Sequence, residues 1–156
     1  MNIKKNLMKI DIQNVCKKNI FFPKKKYFFL WLKNIFKNKK IEITIRIVDM
    51  LEMKFLNKKY KKKNSLTNVL SFQSPDSIKI KHRFLNYIGD IILCAPYINK
   101  EANILKKKKI ELWAHMTIHS TLHLLHYSHK DSKSKKNMQK TEIYIMKKLG
   151  YNNPYN

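Results

Sequence analysis

Four histidines lie within the eleven residues of "HSTLHLLHYSH", His119 to His129, and a fifth, His115, sits just upstream, although the chain has only six. His119 and His123 fall inside "IELWAHMTIHSTLHLL", whose apolar spacing predicts a helix over 110–125. Four residues apart on a helix, their imidazoles stack on one face, one turn apart. His129 comes six residues later, and a helix ending near Leu125 lets the chain turn back and set it beside the pair. Three neutral imidazoles with one position left open form the donor set of a catalytic zinc site. A lone histidine on an apolar helix is usually a satisfied core or surface side chain. The pair at helical spacing, with a third at loop distance, is what favours a metal here. Ser120 stands where an H-E-x-x-H protease carries its glutamate, so peptide hydrolysis by that mechanism is disfavoured.

The elements that must position these side chains follow from periodicity. "LMKIDIQNV" (7–15) alternates as a half-buried strand does, and "EITIRIVD" (42–49) is the clearest strand, with Ile43, Ile45 and Ile47 on one face. Pro23 opens a helix over "KKKYFFLWLKNIFKN", and Asp49 is placed to cap "MLEMKFLNKKY". "NVLSFQ" (68–73) and "IGDIILCAP" (88–96) read as two further strands, joined by a loop through "SPDSIKIKHRFLN". A short helix is expected in "NKEANILKKKK", then the histidine helix, then a last helix over "SKSKKNMQKTEIYIMKKLG" that stops at Gly150. No repeat and no Pro-, Gly- or Ser-rich linker divides the 156 residues, so one domain over 1–156 is expected.

The formal charge of +24 suits nucleic acid or an anionic surface. Lysine supplies almost all of it, with Arg46 and Arg83 the only arginines, and an AT-rich coding bias accounts for part of that lysine. Runs such as Lys24–Lys26, Lys61–Lys63 and Lys106–Lys109 read most simply as solvated faces. Cys16 and Cys94 have no metal-ligand spacing and read as free thiols of a reducing compartment. "MNIKKNLMKIDIQ" has lysines where a signal peptide needs an apolar run. "YFFLWLKNIF" is ten residues long and interrupted by Lys33, too short to span a bilayer. A soluble, cytoplasmic protein is expected.

"HSTLHLLHYSH" resembles the H-G-x-L-H-L-L-G-Y-D-H motif of the YbeY family, metal-dependent endoribonucleases of bacterial ribosomal RNA maturation. "EITIRIVD", "LTNVLSF", "IGDIILC", "WAHMTIH" and "LGYNNPY" resemble further family blocks in the family's order, so the similarity runs nearly unbroken from Glu42 onwards and is weak before it. The resemblance implies one α+β domain, a small mixed β-sheet packed with helices, and a metal site at the C-terminal end of the histidine-bearing helix. It implies one zinc held by His119, His123 and His129, and partners in ribosomal RNA and the small ribosomal subunit. The associated roles are maturation of the 3′ end of small-subunit rRNA and disposal of defective ribosomes. This chain departs from the motif at three places: His126 replaces a glycine, Ser128 an aspartate, and Lys61 an arginine expected to face the RNA cleft.

Metal-assisted phosphodiester cleavage is the expected chemistry, with Lys61 as a phosphate-facing candidate. For a general base the motif offers no carboxylate. Asp90 and Glu142 are weaker candidates; Asp90 more simply caps a neighbouring backbone, and Glu142 more simply pairs with lysines on its own helix. Two other readings stand beside this one: a non-catalytic, zinc-stabilised factor that binds ribosomal RNA, and a metal-dependent protease or hydrolase. His115 and His126 are not expected to be ligands.

Overall fold

The computed structural model describes residues 7–17, 19–75 and 85–156. Along the chain run β1 (Met8–Asn14), α1 (Lys25–Phe36), β2 (Ile41–Val48), α2 (Met50–Lys61), β3 (Val69–Gln73), β4 (Asn86–Cys94), α3 (Ala95–Ile104), α4 (Lys109–Leu124) and α5 (Ser132–Lys148). The strands form one mixed sheet in the order β1-β2-β4-β3. β1, β2 and β4 are parallel, and β3 runs antiparallel along the edge of β4.

Alternation divides the sheet into two faces. Ile41, Ile43, Ile45 and Ile47 of β2 and Ile91 and Leu93 of β4 point to one side, where they pack with Phe28, Trp31 and Leu32 of α1 and with Trp113, Ile118 and Leu122 of α4. Val48, Leu70, Ile92 and Cys94 point to the other and pack against Met53 of α2. α2 starts as its sequence indicates: the Asp49 carboxylate accepts from the Glu52 N–H at 2.9 Å. α4 is buried along most of its length, touching α1, α3, α5 and the β3–β4 edge. It is the platform on which the histidines stand.

The expected elements are present, and the boundary that moves most is the one between β4 and α3. The strand expected to run to Pro96 ends at Cys94, and Ala95–Ile98 already belong to α3. Pro96 sits in the first turn of that helix, where its missing N–H costs nothing. Most of the loop expected between β3 and β4 lies outside the described residues.

One glycine on β4 leaves room for the β3 backbone and for a leucine from the end of α4. The β2–β4 register shifts between Glu42 and Ile43, and the residue after the shift on β4 is Gly89, at φ +141°. A Cβ there would lie 2.2 Å from the Phe72 carbonyl oxygen and 3.0 Å from Leu124 Cδ2, near the end of α4. Gly89→Ala should therefore cost about 3 kcal/mol through strain and overpacking. Urea unfolding should show a lower midpoint with an unchanged slope; an unchanged midpoint would mean this position takes a Cβ without strain.

Candidate metal centre

The end of α4 builds the site. The Tyr127 N–H donates to the Leu122 carbonyl (3.0 Å) and the His126 N–H to the His123 carbonyl (3.0 Å), the two bonds of a Schellman close. The left-handed position of that close is His126, at φ +70°. The helix thus ends as one with glycine there would, and His126 tolerates the conformation. Gln73 of β3 braces the turn, donating from Nε2 to the His123 carbonyl at 2.9 Å and lying 3.1 Å from His126 Nδ1. The reversal returns the chain so that the His129 ring lies over His119 (centroids 5.8 Å, nearly parallel) and edge-on to His123 (4.8 Å).

One nitrogen each from His119, His123 and His129 lies within 4.8 Å of the other two. His119 and His123 are oriented from behind. The Glu142 carboxylate takes the Nδ1 side of His119 at 2.5 Å, and the Tyr127 carbonyl takes that of His123 at 3.0 Å. Both rings therefore turn Nε2 forward, and those two nitrogens stand 3.1 Å apart. Two nitrogens bound tetrahedrally to zinc at about 2.0–2.1 Å are separated by about 3.3 Å. For His119 and His123, donor type, tautomer and spacing fit such an ion, and His129 brings a third nitrogen within 4.8 Å of theirs. Burial and the neighbouring His119 hold His123 below the usual imidazole range despite the Tyr127 carbonyl, so it is neutral at neutral pH, as a ligand must be. His129 is exposed and has no hydrogen-bond partner among the described residues. Ser128, beside it, instead accepts the Lys130 N–H (3.2 Å).

Glu142 departs from expectation. Rather than pairing with lysines on α5, it is fully buried. The main core also takes Met138, Ile145 and Met146 from α5, and Glu142 shares that inward side, one turn from each of Met138 and Met146. Oε1 meets His119, and His115 Nε2 lies 3.3 Å away, near enough for a charge contact but outside hydrogen-bond geometry. Oε2 accepts the Tyr155 hydroxyl. Burial alone would raise the carboxyl pKa; the contacts from His115, His119 and Tyr155 outweigh it and hold Glu142 at about 2. His115 is buried behind the ligand set.

In front of the histidines is a cleft of about 860 Å³ whose walls are β3, the end of α4 and the segment after α2. Lys61 and Lys63 line it together with all three histidines. Asn57, buried in α2, holds that segment by donating to the Ser65 carbonyl at 2.8 Å. Lys61 Nζ sits 5.2 Å from the centre of the Phe72 ring. Asp90 is not brought to the site. It shares the sheet face of Ile92 and α2, does not line the cleft, and accepts the Tyr87 hydroxyl rather than capping backbone. Arg46 is engaged by Glu52 at 2.7 Å. Cys94 is buried and Cys16 half-buried, both free, and neither joins a ligand cluster among the described residues. Sequence reasoning missed Gln73 and Tyr155, whose roles depend on tertiary placement; "NNPY" was visible only as part of a similar block.

The chain matches the family model described as Endoribonuclease YbeY over residues 11–150. It is 46% identical over 153 residues to the Endoribonuclease YbeY of Buchnera aphidicola from Acyrthosiphon pisum, covering 97% of this chain and 96% of that one. The protein of the same name from Blochmanniella pennsylvanica is 42% identical, covering 94% and 92%, and that from Colwellia psychrerythraea 38%, covering 94% and 96%. A Thermotoga maritima protein solved in solution shares the fold with a TM-score of 0.56 at 19% identity, covering 90% of this chain and 91% of its own.

Glu142→Gln should weaken zinc binding about 10- to 100-fold, read by chelator competition, because His119 loses the charge behind it. Glu142 is depressed to about 2 in the folded protein, so its contribution to stability is present above the unfolded carboxyl pKa of about 4.3 and lost as pH falls towards 2. Urea titrations of metal-free protein should show the gap between wild type and Glu142→Gln closing over that window. His126→Gly should keep zinc and gain about 1 kcal/mol by relieving the left-handed position; loss of zinc would make His126 a ligand.

Proposed function

The chain belongs to the YbeY family of endoribonucleases, and from that premise we propose that it is a zinc-dependent, single-strand-specific endoribonuclease of the cytoplasm that matures the 3′ end of small-subunit rRNA and acts in ribosome quality control. The observation that carries this reading is the shared cleft: the imidazoles of His119, His123 and His129 and three lysines, Lys61, Lys63 and Lys130, line one groove. Anionic backbone is drawn to such a groove and to the +24 chain around it. No helix among the described residues is long and apolar enough to cross a membrane.

Bound to three imidazoles, zinc supplies Lewis acidity and can activate water at neutral pH. The protein groups do the rest. Glu142 and the Tyr127 carbonyl hold His119 and His123 in one tautomer and one orientation. Gln73 ties the turn that returns His129. Lys61, a cleft lysine, neutralises charge on the reacting phosphate in this reading, as a point charge where the family's arginine offers a fork. Whether water or the ribose 2′-hydroxyl attacks, the described residues place no free carboxylate on the open side of the cleft. Asp90 is given no part. That same lack, with Ser120 in the helix and Glu142 committed behind His119, disfavours a protease.

Incubating zinc-loaded protein with an rRNA fragment and with casein separates the readings: cut RNA supports this one, cut casein a protease, and bound but intact RNA a non-catalytic factor. His123→Ala should lose stoichiometric zinc and cleavage together. In single-turnover cleavage, Lys61→Ala should slow the reaction about 10²-fold, as loss of a transition-state contact does, while Lys61→Arg holds or raises the rate. Equal rates for Lys61→Ala and Lys63→Ala would remove any special role for Lys61.

A further inference from the structure

The last residues of the chain finish behind the metal centre. Pro154 is buried, and Lys107 Nζ donates to its carbonyl. The Tyr155 N–H donates to Asn153 Oδ1 at 2.9 Å. These contacts set the Tyr155 ring edge-on against His115, with centroids 5.3 Å apart, and its hydroxyl on Glu142 Oε2. The other carboxylate oxygen, Oε1, is the one on His119 Nδ1.

A glutamate's terminal torsion is soft and roughly two-fold. Buried without a lysine or arginine in contact among the described residues, Glu142 can rotate about it unless something fixes the second oxygen. His115 offers a competing position, with Nε2 already 3.3 Å from Oε1. Tyr155 is the group on Oε2. We propose that Tyr155 is a positioning residue of the metal centre: by donating to Glu142 Oε2 it keeps Oε1 on His119 Nδ1–H and so keeps His119 Nε2 directed at the metal. The rival role is mechanical, with Tyr155 pinning the tail through its ring alone.

Tyr155→Phe separates the two, since it keeps the ring and removes only the hydroxyl. Zinc affinity of the full chain, by chelator competition, should fall about 10-fold, within the range for loss of an outer-sphere partner. In the zinc-free protein, nitrogen NMR of His119 should show a mixture of tautomers where wild type shows Nδ1–H. The hydroxyl acts through the carboxylate, so adding Tyr155→Phe to Glu142→Gln should change affinity less than twofold further. A wild-type affinity and tautomer in Tyr155→Phe, or full additivity with Glu142→Gln, overturns the proposal and leaves the three-histidine site standing. The proposal rests on that site, so a wild-type protein that takes up no zinc overturns both.

Discussion

Glu142 is a fully buried carboxylate in a chain of formal charge +24, yet no lysine or arginine touches it among the described residues. An ionised group so placed loses its hydration and must recover it from hydrogen bonds. The recovery comes from one histidine of α4, a second histidine close by and a phenol from the tail. Three separate parts of the chain must converge for that to happen. α5 must lie along α4 with Glu142 inward, α4 must present His115 and His119 on the same stripe, and the tail must fold back over both.

α4 in turn is held by the sheet. The glycine at the β4 bulge admits Leu124, and Gln73 on the edge strand reaches the His123 carbonyl in the last turn of the helix. The helix end is therefore fixed at the residue where the chain must reverse. His126 accepts a left-handed backbone there because the two closing hydrogen bonds and the Gln73 contact over-determine it. The sheet edge thus sets where His129 can go.

Much of this was legible in the residues, and the reasons differ by element. The isoleucine alternation of β2 and the Asp49 cap are local signals, and they read correctly because each concerns a few adjacent residues. The three clustered histidines were visible for the same reason: the helix repeat and one turn bring them together. Glu142 was misread because its helix is rich in lysine and only tertiary packing decides which side faces inward. Asp90 lies next to a bulge, where alternation slips and the face of a side chain cannot be counted from the sequence. Pro96 marked the first turn of a helix rather than the end of a strand, two positions a proline fits equally well.

The closeness of the three histidines in the chain has a thermodynamic consequence. Only eleven residues span them, so bringing them together costs an unfolded chain little loop entropy. The unfolded chain therefore already keeps the three imidazoles within a short loop of one another. A metal stabilises a fold only by the difference between its affinities for the folded and unfolded forms. For this chain that difference does not come from gathering the ligands. It comes from what the fold alone supplies: a carboxylate fixed behind one ring, a carbonyl behind another, and a helix end that cannot drift.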